Sequence, residues 1–141
     1  MQKFHPLQDL AHVEFTPHVI PYDKTYDFSL YDLLSVCDML ISDYSSVIHD
    51  FILTGKPIII DCFDYDKYND TRGYAFEPID YVFPNAPCKS FSELKEQVLL
   101  EFSNSKRNAK YYEIQKMFHK YIDNQSSKRV LDFIKKCINE Q

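Results

Sequence analysis

Residues 43–57 read Asp-Tyr-Ser-Ser-Val-Ile-His-Asp-Phe-Ile-Leu-Thr-Gly-Lys-Pro, and this stretch decides the fold class. An apolar run, Asp38–Ser42 (DMLIS), leads into it and a second, Pro57–Asp61 (PIIID), follows it. Two small hydroxyl residues open the segment. Val47, Ile48, Phe51 and Ile52 give it one apolar helical face, and Gly55 stands where a helix over 45–54 would end. The pattern is strand, turn, helix, strand. The first amides of a helix have no partner inside it, and the summed peptide dipoles leave partial positive charge there. A phosphate satisfies both. Ser45 and Ser46 allow close approach and add hydroxyl donors. The competing reading is that Asp43 or Ser45 only caps the helix. Position favours a ligand, because open α/β sheets bind at the carboxyl ends of their strands.

Outward from this core, residues 1–5 read as the end of a strand, and Val19-Ile20 as a short strand stopping at Pro21. Asp27 or Ser29 can cap a helix over 30–37, with Leu30, Leu33, Leu34 and Cys37 on one face. Helices alternating with short apolar strands indicate a parallel sheet, and Ile58-Ile59-Ile60 reads as a strand buried on both faces. Between Asp61 and Pro87 the periodicity dissolves among aspartates and tyrosines, as in a functional loop. Ser90-Phe-Ser-Glu93 is a capping box opening a helix to about Phe102. Helices at roughly 106–122 and 127–139 follow. Their stripes, Tyr111, Ile114, Phe118 and Tyr121 in one and Val130, Ile134, Cys137 and Ile138 in the other, read as core.

The 141 residues suit one nucleotide-binding domain over 1–105, with a helical extension over 106–141 packed on it. Residues 1–105 hold 7 basic and 17 acidic side chains, and residues 106–141 hold 9 and 4, so a formal charge of −5 divides into −10 and +5. A basic tail on an acidic body suits an anionic partner or membrane surface, or is the solvated face of ordinary helices. Nucleic acid is excluded as a partner by the acidic body and the lack of a basic-aromatic stripe. The N-terminus lacks a secretory apolar core, and no apolar run reaches the length of a spanning helix. Cysteines 37, 62, 88 and 137 are too scattered for a zinc site and read as reduced thiols of a cytoplasmic protein. His5, His12 and His18 lack a carboxylate or cysteine in register, so no metal is expected.

With His5-Pro6, the 43–57 segment and Arg72-Gly73-Tyr74 in hand, the chain resembles the C-terminal part of the CDP-glycerol glycerophosphotransferase family, enzymes that prime or build teichoic acid chains. The resemblance runs from the strand ending in His-Pro through the Asp-Leu-Leu helix, Ile-Ser-Asp-Tyr-Ser-Ser, Asp50-Phe51 and Lys56-Pro57. It continues through Asp64, Tyr68 and Arg72-Gly73-Tyr74 to Ser127-Lys-Arg-Val130. It implies a Rossmann-like parallel sheet with flanking helices, forming the C-terminal half of a glycosyltransferase-B-like fold. Ser45 and Ser46, with their amides, would then hold the diphosphate of CDP-glycerol, bound as substrate with no separate cofactor, and Asp43 would belong to the same nucleotide site. Asp50 would accept bonds from ribose hydroxyls, Arg72 would reach a phosphate with its planar fork, and His5 would stabilise charge on the departing CMP. The rival readings are a solvated helix acid, a surface ion pair and a strand-end histidine. The location expected is cytoplasmic, either soluble or peripheral on the inner face of the membrane.

The departures from the family carry expectations of their own. The N-terminal domain, with the histidine that resembles a general base, has no counterpart here. His49 replaces an aromatic, and Pro84-Asn-Ala-Pro87 replaces a Pro-Gly turn. The chain therefore reads as a fragment, either a remnant of a split gene or a separately encoded half whose partner would be an N-terminal half, with an exposed sheet edge. Alone it should bind nucleotide without turnover. The alternatives are a domain of a nucleotide-sugar glycosyltransferase or epimerase, and a non-catalytic interaction remnant.

Overall fold

Three isoleucines, Ile58–Ile60, are at most 2% exposed and form the buried centre of the larger sheet. The computed structural model describes residues 1–3, 16–22, 25–73, 76 and 78–139. Among these the chain is mixed α/β, with two parallel two-stranded sheets and six α-helices. Contacts divide it into two units, Met1–Val36 and Cys37–Gln141.

In the first unit, β1 (Gln2–Lys3) pairs in parallel with β2 (Pro21–Tyr22). The expected strand at 19–20 thus lies two residues later. Proline, which lacks an N–H, is tolerated as the first residue of a strand. Tyr22, Tyr26 and Phe28 cluster beyond it with ring centroids 5.0–6.1 Å apart. Ser29 rather than Asp27 opens α1 (Leu30–Val36). The Ser29 amide donates to Asp32 Oδ2 at 2.8 Å and the Asp32 amide donates to Ser29 Oγ at 3.2 Å, a reciprocal cap. The Ser29 hydroxyl also donates to Asp32 Oδ2 at 2.7 Å, and this bond, followed by that from the Ser29 amide, holds the Asp32 carboxyl below the usual range.

In the second unit, β3 (Leu40–Ser42) and β4 (Ile58–Ile60) pair in parallel with Leu40 opposite Ile58 and Ser42 opposite Ile60. The segment between them forms α2 (Val47–Phe51), continued by a 3-10 turn at Ile52–Thr54. Gly55 ends it at φ 70°, a left-handed cap that a side chain would strain. A third parallel pairing joins Asp61 to Cys88. The stretch expected to be irregular contains α3 (Tyr65–Arg72), none of whose residues is buried. With no apolar face it gives no helical periodicity, and only the positive-φ turn at Gly73 marks its end.

The capping box at Ser90 is present. Ser90 Oγ accepts from the Glu93 amide at 3.3 Å, and Glu93 Oε2 accepts from the Lys89 amide at 2.8 Å, opening α4 (Phe91–Ser103). Next comes α5 (Ala109–Phe118), capped by Asn108. It packs on α2: Tyr111 is 1% exposed and its hydroxyl lies 2.9 Å from the Lys56 carbonyl and 3.1 Å from that of Ile52. The last helix, α6 (Ser126–Asn139), corrects an expectation. None of its residues is buried, and its apolar stripe, read as core, is open. Periodicity establishes that such a face exists and says nothing of what lies against it.

Candidate functional site

Because β3, β4 and the Cys88 pairing are parallel, the segments leaving their carboxyl ends share one rim: 43–46, 61–64 and 89–90. The Asp61 amide donates to the Ser42 carbonyl at 2.9 Å, setting the starts of the first two side by side. Tyr44 joins them further out. Its hydroxyl donates to Asp64 Oδ1 at 3.1 Å, and its ring stacks on Tyr68 of α3 at 3.8 Å.

The candidate residues on the first segment are brought together. Asp43, Ser45, Ser46 and Asp50 are all exposed. Ser46 occupies the N-cap position in α-region backbone, and its hydroxyl makes no cap bond. Ser45 Oγ supplies a long contact instead, accepting from the Val47 amide at 3.4 Å. Capping therefore accounts for Ser45 in part and for Ser46 not at all. Asp50, four residues after Ser46, lies on the same side of the helix. Arg72, the last residue of α3, is exposed and four residues after Tyr68, so it shares the side of α3 that carries the Tyr44 stack. The ion pairs among the described residues are Arg107–Glu101 and Arg129–Asp123, and Arg72 is in neither. His5, and Tyr74 of the Arg-Gly-Tyr motif, lie outside the described residues.

Sequence reasoning singled out Asp64 and Tyr68 only as motif residues of an irregular stretch, and missed Asp61, Cys62 and the contact of Tyr44 with Tyr68 and Asp64. Burial pushes the Asp61 carboxyl up, and the neighbouring Asp43 and Asp64 add to the effect. The Cys62 thiol is pushed up to about 11, mainly by burial, so it stays protonated at neutral pH. Burial, with hydrogen bonds to Cys62 and Asp64, also raises the Tyr44 hydroxyl. Lys89 supplies a cation over the Tyr65 ring, 4.2 Å from its centroid. An anion would be repelled directly above the strand ends and better tolerated toward Ser45, Ser46 and the α3 terminus. The signal available was the position of Asp61 and Asp64 just past a strand. Among the described residues, no group of three or more His, Cys, Asp and Glu is placed to hold a metal ion.

His49 lies where α2 meets α5. Its ring stacks on Phe118 at 3.7 Å, and its carbonyl meets His119 Nε2 at 2.6 Å. Burial holds its pKa below the usual value. It packs as an aromatic at the α2–α5 contact.

The family described as CDP-Glycerol:Poly(glycerophosphate) glycerophosphotransferase matches residues 1–136. The chain is 30% identical over 138 residues to the teichoic acid glycerol-phosphate primase of Bacillus subtilis (strain 168), covering 97% of this chain and 34% of the relative. It is 31% identical over 135 residues to the teichoic acid ribitol-phosphate primase of Bacillus spizizenii, covering 95% and 33%. It is 33% identical over 106 residues to the teichoic acid ribitol-phosphate polymerase TarK of Staphylococcus aureus, covering 71% and 19%. The chain thus spans at most about a third of the length of these curated relatives. No helix among the described residues is long and apolar enough to cross a membrane. A match over nearly all of its length makes this chain a member of the CDP-glycerol glycerophosphotransferase family of teichoic acid biosynthesis.

Proposed function

We propose that this chain is the nucleotide-binding half of a glycosyltransferase-B-like polyol-phosphate transferase and that it holds CDP-glycerol or a related CDP-polyol. The observation that carries the reading is the uncommitted Ser46 hydroxyl at the opening of α2, on the rim of a parallel sheet, in a chain of this family. Ser45 and Ser46 and their amides receive the diphosphate. Arg72 approaches it from α3, and Asp50 accepts from the ribose hydroxyls. Asp43 borders the site and accepts hydrogen bonds, and His5 meets charge developing on the leaving group.

The acceptor hydroxyl attacks the phosphorus that carries the polyol. A new P–O bond forms, the anhydride bond breaks, its electron pair leaves with CMP, and the hydroxyl proton passes to a base on the rest of the enzyme. Such a protein works on the cytoplasmic face of the membrane, where its nucleotide substrate is.

Calorimetric titration with CDP-glycerol, CDP-ribitol and UDP-glucose tests this. Binding of the CDP-polyols and not of UDP-glucose is expected, without CMP release by the chain alone. Preference for UDP-glucose would move the chain to the nucleotide-sugar enzymes. Absence of all nucleotide binding would make it an interaction remnant. CMP release would refute the division of labour.

A further inference from the structure

Tyr44 stands between the two elements that carry the proposed phosphate contacts. It precedes Ser45 in the chain, and its side chain reaches α3, whose last residue is Arg72. No residue of α3 is buried, and six of its eight are exposed. The other two are tyrosines, and each makes contacts that seat the helix. Tyr65 donates to Asp80 Oδ1 at 3.3 Å and its ring lies under Lys89 Nζ. Tyr68 stacks on Tyr44, with ring centroids 3.8 Å apart and planes inclined by 23°. A helix this short without a packed apolar face is marginal in water, so these contacts decide where α3 lies.

The grip of Tyr44 is two-sided. Its ring meets Tyr68, and its hydroxyl donates at 3.1 Å to Oδ1 of Asp64, the residue that precedes the first turn of α3. Asp64 holds the N-cap position yet makes no cap bond, so its carboxylate serves Tyr44 instead. A ring contact alone lets a helix slide or turn on the stack, and a hydrogen bond one turn away removes that freedom. Asp64, Tyr68 and Arg72 are spaced four apart and so follow one stripe of the helix. We propose that Tyr44 is a positioning residue for the phosphate site: it ties α3 to the segment that opens α2, and so sets where Arg72 meets the phosphates received by Ser45 and Ser46. The role rests on the nucleotide reading above. Arg72 lies one turn beyond Tyr68, about 6 Å along the helix axis, so a helix released at Tyr68 carries the guanidinium with it. A planar guanidinium bonds a phosphate well only at a fixed distance and angle, and a latch at this point therefore acts on affinity.

The test is calorimetric titration of the whole chain with CDP-glycerol, in a double-mutant cycle of Tyr44→Leu and Arg72→Ala. Each change alone should weaken binding by roughly tenfold, the worth of one bond to a charged group. Together they should weaken it hardly more than either one, because a displaced arginine and a missing one are equivalent. Tyr68→Leu, which leaves 43–46 unaltered, should reproduce the loss, and Tyr44→Phe, which keeps the stack, should restore most of the affinity. In the ligand-free chain, amide exchange over 69–72 should quicken by roughly tenfold in Tyr44→Leu while that over 58–60 stays unchanged. Four results overturn the role. Tyr44→Leu and Tyr68→Leu chains that bind as the parent does refute it and leave the nucleotide site in place. Losses from Tyr44→Leu and Arg72→Ala that multiply also refute it, since they confine Tyr44 to the shape of the 43–46 segment. Unchanged exchange over 69–72 shows that α3 is held elsewhere and does the same. A parent chain that binds no CDP-polyol refutes the nucleotide reading, and this role falls with it.

Discussion

Replacing Tyr111 with phenylalanine tests how α5 holds the segment that carries the candidate site. The ring is 1% exposed and stays in place, so the change removes one hydroxyl without opening a cavity. That hydroxyl has a single proton to share between two carbonyls, Lys56 at 2.9 Å and Ile52 at 3.1 Å. The Ile52 carbonyl has other donors, Gln115 Nε2 at 2.9 Å and the Gly55 amide at 3.3 Å. The loss therefore falls on Lys56, next to the strand entry at Ile58. A net hydrogen bond is worth about 1 kcal/mol, and a part-buried carbonyl losing its donor adds up to about 1 more. The expected cost is about 1–2 kcal/mol, or about 3–7 °C in thermal midpoint at this chain length. Burial pushes the Tyr111 hydroxyl up to about 12, so it remains a donor throughout the neutral range. Urea and thermal unfolding followed by far-ultraviolet dichroism measure the loss. Tyr111→Phe together with Gln115→Ala should cost more than the sum of the two, since both side chains serve Ile52. A Tyr111→Phe variant within about 0.3 kcal/mol of the parent, below the usual scatter of such comparisons, refutes the reasoning.

His49 should make stability fall in mild acid. Its folded-state pKa lies below the ordinary 6.5, so the unfolded chain binds the extra proton and stability drops as pH falls through and below that value. His49→Phe keeps the stack on Phe118 and should flatten that part of the pH–midpoint curve between pH 7 and 5; an unchanged slope would assign it to other groups. Ser46→Ala should leave the thermal midpoint within about 0.5 kcal/mol of the parent, since no cap bond is lost. It should weaken CDP-glycerol binding about tenfold, the worth of one hydrogen bond to a charged group. Equal affinity in calorimetry would remove Ser46 from the site.

Local chemistry alone determined much of this protein. The alternation of apolar runs with a helical face placed β3, α2 and β4, and Gly55 marked the stop. Ser90 and Glu93 announced α4, because a capping box is a contact between residues three apart. Motif order along the chain was enough to name the family. Tertiary structure decided what depends on residues distant in sequence. The meeting of Tyr44 with Tyr68 and Asp64 is set by parallel pairing, since strands 18 residues apart in register leave their exits side by side. The helix at 65–72 forms without an apolar face and so carries no periodic signal. The stripes of α5 and α6 look alike in sequence, yet Tyr111 and Ile114 are buried while no residue of α6 is. A helix's sequence fixes which side avoids water, and only its neighbours determine whether that side is covered.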